Sequence, residues 1–216
     1  MQPYYDQDGI TIYHGDCRVV VPALGRFDLL LTDPPYGVGA SGGTGKYGRQ
    51  KWAEGDSFWD KAPPARWLLE MLLASVDRAI VWGGNYFNLP PSRNYLIWDK
   101  GAGFRGRNFA ECEQAWVSWD GNAKVYQRDP LAAGDYKGKE HPTEKPVELM
   151  KWCLAQAGPV QSVLDPFAGT GATGVAAKLF GLRAVLIEMD EAYCEMTARR
   201  LAQGVLPFPV YSRSVS

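Results

Sequence analysis

Residues 32 to 37 read TDPPYG and follow directly on the apolar run Phe27-Asp28-Leu29-Leu30-Leu31. A carboxylate, two residues of fixed φ and an aromatic ring in succession suit one kind of chemistry, the holding of a planar exocyclic amine. The lone pair of such an amine on a nucleobase is delocalised into the ring, so it attacks carbon poorly. Asp33 and the carbonyl of Pro34 can each accept an N–H bond from it, drawing the nitrogen toward tetrahedral geometry and turning its lone pair outward. Pro34 and Pro35 keep the preceding residues extended, so that carbonyl needs little reorganisation in the transition state. Tyr36 offers a face for the base to stack on, and a paired base presents its amine this way only after leaving the duplex. A proline-stopped strand with a capping aspartate would account for the same residues.

A second cluster lies far downstream, where residues 161 to 175 read QSVLDPFAGTGATGV. A short apolar strand ends in Asp165 and gives way to a glycine-rich turn that opens a helix of small residues. Gly169, Gly171 and Gly174 let backbone approach a ligand closely, and the helix start supplies free N–H donors. About 23 residues after Asp165 the strand AVLIE ends at Glu188, where the acidic residue of a nucleotide-binding βαβ unit holds ribose hydroxyls. A tight strand-to-helix turn with a helix-capping acid is the plainer reading.

The elements that must position these residues alternate between short apolar strands and helical patterns, the signature of an α/β domain with a mostly parallel sheet. Seven strands are expected, over 10–14, 27–32, 78–82, 95–98, 114–119, 161–164 and 183–187. Helices are expected over 63–76, 146–157, 172–180 and 190–203, the first two with proline in the opening turn and the last with Asp190 as N-cap and Gly204 as terminator. Residues 37–62 and 120–142 resist this scheme. The first is glycine-rich, with Lys46, Arg49 and Lys51 set among Tyr47, Trp52, Phe58 and Trp59, and loops of this length tend to be functional. Residues 1–204 are read as one domain and 205–216 as a tail.

Composition fits that reading: 216 residues, 46% of them hydrophobic, are ample for one core. With 23 Lys+Arg against 24 Asp+Glu there is no global positive field, so a nucleic-acid surface must be local. Four dispersed cysteines suggest neither a zinc cluster nor a disulfide framework. No stretch has the length of a membrane span and the N-terminal residues do not read as an export signal, so a cytoplasmic protein without a metal is expected.

Taken in order, DPPY, HPTEKP, DPFAGTGATG and the acidic end of AVLIE resemble the β group of DNA amino-methyltransferases that use S-adenosylmethionine. The likeness runs from about Ile10 to Leu201. It implies a circularly permuted Rossmann-like methyltransferase fold, with helices on both faces of a mostly parallel seven-stranded sheet. It implies that Asp33, Pro34, Pro35 and Tyr36 form the catalytic tetrad, with Asp33 also beside the cofactor. Asp165, Phe167, Ala168, Gly169, Thr170 and Gly171 would line the cofactor's methionine moiety and Glu188 would hold its ribose. Asp16 and Cys17, in HGDC, match the segment at the cofactor adenine, although Asp16 as a simple turn cap fits too. Thr143 and Lys145 match residues near the cofactor carboxylate. His14 and His141 are read as structural. The strands ending at Asp33 and Asp165 should be neighbours at the switch point of the sheet.

The resemblance implies transfer of a methyl group to adenine N6 in double-stranded DNA. Cytosine N4 is the near alternative, disfavoured because that group more often has serine where Asp33 stands, and a non-catalytic DNA-binding relic is the alternative of another class. Loops must then read the sequence, with Arg49, Arg105 and Arg107 as candidates for guanine and Lys46, Lys51, Lys124, Lys137 and Lys139 for phosphates. A homodimer fits a group that often pairs, and a cognate restriction nuclease is a candidate partner that the sequence does not identify.

Overall fold

The computed structural model of the chain describes residues 1–37, 62–135 and 144–203. Among them, nine strands form one sheet: β1 (Tyr5–Gln7), β2 (Ile10–His14), β3 (Phe27–Thr32), β4 (Val76–Trp82), β5 (Tyr95–Asp99), β6 (Cys112–Val117), β7 (Lys124–Gln127), β8 (Ser162–Asp165) and β9 (Arg183–Glu188). Their spatial order is β1-β2-β9-β8-β3-β4-β6-β5-β7. Neighbours pair in parallel except β1 with β2 and β6 with both of its partners.

Alternation along the strands sends side chains into two layers. The helices are α1 (Cys17–Val20), α2 (Arg66–Ala74), α3 (Val147–Ala157), α4 (Ala172–Leu179) and α5 (Glu191–Ala202). Leu29 and Leu31 of β3 pack with Leu149, Cys153 and Leu154 of α3, Ala176 of α4 and Leu201 of α5. Leu30, between them, packs with Val20 of α1 and Leu68 and Leu72 of α2 on the opposite face. This is why β3 reads as an unbroken apolar run: a central parallel strand is buried on both sides.

The expected sheet gains two strands. The first, β1, forms a hairpin with β2 in the register Tyr5↔Ile12 and Gln7↔Ile10. Asp8 at φ +53° and Gly9 at φ +78° make the two-residue turn, and Asp-Gly is a strong hairpin signal. The second, β7, is short, polar and at the sheet edge, so it carries no apolar alternation and falls inside the expected excursion 120–142. The strand expected over 114–119 lies two residues earlier, at Cys112–Val117. The helix expected over 63–76 is Arg66–Ala74, because Val76 already belongs to β4. Asp190 does cap α5, accepting from the Ala192 amide at 2.8 Å; Gly204 lies outside the described residues. No helix among them is long and apolar enough to cross a membrane.

Candidate active site

The two sequence clusters meet at one edge of the sheet. Strands β3 and β8 are parallel neighbours, Leu29 opposite Val163 and Leu30 opposite Leu164, so Asp33 and Asp165 stand side by side at their carboxyl ends. Thr32 closes the seam, its Oγ1 donating to Asp165 Oδ1 at 2.8 Å. Asp165 also accepts from the Phe167 amide at 3.2 Å and from Thr173. Burial pushes its carboxyl up to about 6 despite these donors. Asp165 therefore ties the glycine turn to β3 from beneath.

The turn residues follow from there. Phe167 and Gly169 are half-buried, whereas Ala168, Thr170 and Gly171 are buried. Gly171 takes φ +78° and an added Cβ would stand 2.3 Å from Thr197 Cγ2, so only glycine lets α4 start this close to α5. Beside Gly169 the space is open, with nothing within 4 Å of where a Cβ would be.

Glu188 ends β9, opposite His14 of β2. Its Oε1 accepts from the amides of Met189 and Asp190 at 2.8 and 2.9 Å, and its Oε2 from the Gly169 amide at 2.8 Å. Burial raises this carboxyl above the ordinary range while the three amides oppose it. The Gly15 amide donates to the Glu188 carbonyl at 2.8 Å, which brings HGDC to the same edge. There Asp16 caps α1, accepting from the Arg18 amide at 2.8 Å and from Arg18 Nε at 2.7 Å. Cys17 is buried beneath it, its thiol pushed up to about 11 by burial. His14 Nε2 meets the Met189 carbonyl at 3.1 Å.

Around Asp33 the arrangement is one that sequence alone does not show. The Tyr36 hydroxyl donates to Asp33 Oδ1, and Lys145 Nζ donates to Asp33 Oδ2 at 2.5 Å. Lys145 also lies 3.0 Å from Glu113 Oε2, and Lys100 Nζ lies 2.5 Å from Glu113 Oε1. The lysines are buried and the carboxylates nearly so, with side-chain exposures of 7% and 9% against 24% and 22%. Burial raises the Asp33 carboxyl, with Lys145 pulling against it. Burial also acts to lower the Lys145 ammonium, yet Asp33 and Glu113 together hold it well above the usual lysine range. Burial would raise Glu113, but its two lysines outweigh this and bring it down to about 2. Four charges, two buried lysines and two half-buried carboxylates, thus alternate in sign and sum to zero.

Aromatic rings enclose this group. Tyr36 stacks on Tyr86, centroids 4.8 Å apart and planes 15° from parallel, and Lys145 sits 5.5 Å above the Tyr36 ring and 5.8 Å from that of Trp82. Gly83, at φ +67°, makes room for this: a Cβ there would stand 2.1 Å from Tyr36 Cε1. The backbone turns at Gly83 so that Tyr86 faces Tyr36.

Several of the expected site residues have protein partners here. Lys145 was expected at a cofactor carboxylate; its ammonium bridges Asp33 and Glu113, the carboxylates within its reach among the described residues. It does line, with Thr170, Glu144 and Arg200, a cleft of about 620 Å³. Tyr36 has Tyr86 on its ring. Arg105 pairs with Asp99 at 3.1 Å and Glu111 at 3.5 Å, so two of its own loop's carboxylates already hold it. Arg107 is exposed, and Lys124 bonds Gln156 at 2.9 Å. Thr143, His141, Lys46, Arg49, Lys51, Lys137 and Lys139 lie outside the described residues. Tyr86, in the segment Trp82-Gly83-Gly84-Asn85-Tyr86, reads from the sequence as a wall of the flipped-base pocket and Lys100, just after β5, as a group that reaches DNA or caps the sheet, but Glu113 was not foreseen as part of the site. Nothing near Glu113 in the sequence marks it, since the two lysines it meets lie before β6 and beyond β7.

An open, mostly parallel sheet whose carboxyl edge joins a glycine turn, an acidic strand end and an Asp-Pro-Pro-Tyr segment is the architecture of a nucleotide-dependent group-transfer enzyme. The sequence profile of the DNA methylase family, the N6/N4 methylases, matches residues 92–199, half of the chain, and the chain belongs to that family. A type II methyltransferase of Lactococcus lactis subsp. cremoris, M2.LlaDCHI, is 23% identical over 252 residues, covering 94% of this chain and 93% of its own length. The type II methyltransferase M.HinfI of Haemophilus influenzae is 25% identical over 245 residues, covering 89% and 68%. Two solved structures share the fold. The M1.HpyAVI–SAM complex has a TM-score of 0.59 at 17% identity, over 88% of this chain and 99% of that one. The cytosine-N4-specific PvuII DNA methyltransferase has a TM-score of 0.60 at 17% identity, over 100% and 91%.

Proposed function

We propose that this protein transfers a methyl group from S-adenosylmethionine to the exocyclic N6 amine of an adenine flipped out of double-stranded DNA. The observation that carries this is the position of Asp33 at the carboxyl end of β3, one strand from the glycine turn that follows β8.

The residues present fit the cofactor. Two carboxylates, Asp16 and Glu188, stand at the ends of neighbouring strands, suited to an adenine amine and a ribose diol, and Glu188 Oε2 accepts one protein donor and so retains a lone pair. The open space at Gly169 admits a ligand against the backbone. When bound, S-adenosylmethionine supplies a sulfonium methyl that the amine nitrogen takes as the carbon–sulfur bond breaks.

The protein's part is to hold the amine. Asp33 and the Pro34 carbonyl accept its two N–H bonds, and the rigid Pro-Pro backbone makes that geometry cheap to keep. Because a sulfonium methyl is already electrophilic, no base acts before attack, and the surplus proton leaves afterwards along the N–H bond that Asp33 accepts. Tyr36 and Tyr86 supply aromatic surface that offsets the stacking lost by the flipped base.

Expression in methylation-free cells followed by mass spectrometry of the DNA nucleosides tests this. N6-methyladenine is expected, and modification-sensitive sequencing then gives its context. N4-methylcytosine would overturn the choice of base, and no modified base from a protein that binds cofactor would favour the non-catalytic relic.

A further inference from the structure

Both oxygens of Asp33 are already engaged, one by Tyr36 and one by Lys145. Each oxygen keeps a second lone pair, but an amine that donates to Asp33 competes with these donors for the one carboxylate, and the ammonium is the strongest competitor. Lys145 cannot simply withdraw, since a buried ammonium without a counter-charge is costly. Among the described residues one other carboxylate reaches it: Glu113 Oε2, 3.0 Å from Nζ. Glu113 is itself kept ionised by Lys100.

The geometry points to Glu113 as a positioning residue for methyl transfer: it is the acceptor that keeps Lys145 when the target amine takes the lysine's place on Asp33. This inference rests on the amine-methylation reading above and deepens it. In the resting protein Lys145 holds Asp33 in place and opposes the rise that burial gives its carboxyl. When the amine enters, Lys145 moves onto Glu113, and the neutral sum of the four charges is kept throughout. The Trp82 and Tyr36 rings, 5.8 and 5.5 Å from Nζ, line the lysine's surroundings with electron-rich faces. Without the Glu113 charge, Lys145 has Asp33 alone, and the amine must compete with a buried ion pair.

The test uses the full chain, labelled S-adenosylmethionine and genomic DNA from methylation-free cells, read in single turnover. Glu113→Gln keeps the shape and removes the charge. Cofactor affinity is expected within about threefold of wild type, and transfer near neutral pH to fall on the order of 100-fold, the penalty of a mostly blocked state. A second reading separates this from a general loss of structure. Among the described residues the titratable groups facing Lys145 are Asp33, Glu113, the Tyr36 hydroxyl at 3.3 Å and the buried Cys153 thiol of α3. Losing one of its two carboxylates lowers the lysine's pKa, so transfer by Glu113→Gln should recover as pH rises through the alkaline range, freeing Asp33, and at a lower pH than any rise in wild type. If Glu113→Gln alone does not fold, pairing it with Lys100→Met removes the stranded cation and carries the same readings. An active wild type with Glu113→Gln transferring within about threefold of it, or with a loss that alkaline pH leaves untouched, overturns the inference alone. A wild type that transfers no methyl to DNA overturns the amine-methylation reading and this inference with it.

Discussion

Lys145 and Asp33, 112 residues apart in sequence, meet with Nζ 2.5 Å from Oδ2 at the carboxyl edge of the sheet. The contact joins the loop after β3 to the start of α3 and makes the Asp-Pro-Pro-Tyr segment part of a buried charge network. Removing single groups from this edge has distinguishable consequences.

Replacing Asp33 with alanine leaves Lys145 its second carboxylate, Glu113, so the fold is expected to survive. Methyl transfer should drop by about 1,000-fold or more, because a preorganised acceptor at the reacting nitrogen is gone. Cofactor affinity, measured calorimetrically, should stay within a few fold; an equal loss of both in a folded variant would contradict the role given to Asp33.

Glu188→Ala should act in the opposite order. The cofactor loses its ribose acceptor, and three amides, those of Gly169, Met189 and Asp190, lose theirs. Affinity is expected to fall at least tenfold and stability by about 1–3 kcal/mol. An unchanged dissociation constant would remove Glu188 from the cofactor site.

Gly83→Ala tests the aromatic wall. The substitution meets both a positive φ and a Cβ 2.1 Å from Tyr36 Cε1. A cost of about 1–3 kcal/mol in thermal or chemical unfolding is expected from the backbone alone. Displacement of Tyr36 should add a loss of transfer on the order of 100-fold. Normal activity at normal stability would show that the Tyr36–Tyr86 stack has slack.

The pH dependence of stability should carry the mark of Asp165. Its carboxyl titrates at about 6 in the folded chain and near 3.8 when unfolded. Between these values the folded state binds more protons, so this group's contribution to stability falls as pH rises, by about 3 kcal/mol in total. Asp165→Asn keeps an acceptor for Thr32 and Phe167 and loses the charge. Its stability relative to wild type, from denaturant titrations, should therefore climb between about pH 4 and pH 7. A flat difference would mean that the Asp165 carboxyl is not raised.

What the sequence determined by itself is local and sequential. Apolar runs of strand length, proline at helix starts and Asp190 as a cap specify most of the elements, because each depends on neighbours in the chain. The order of DPPY before DPFAGTG, through its resemblance to the permuted methyltransferases, led to the expectation that β3 lies beside β8. The Asp8-Gly9 hairpin was equally legible and was overlooked. The polar edge strand β7 was not legible, since its pairing with β5 needs no apolar face.

The partners at the site were decided only by the tertiary structure. Strand β6 runs against β4 and β5, so its beginning, rather than its end, reaches the carboxyl edge where Asp33 stands. That reversal brings Glu113 between Lys100 and Lys145, and no spacing along the chain encodes it. Lys145 could be read as a cation for a nearby anion. Which anion it meets depends on which carboxylates the sheet gathers in one buried place, and burial is what makes that choice strong.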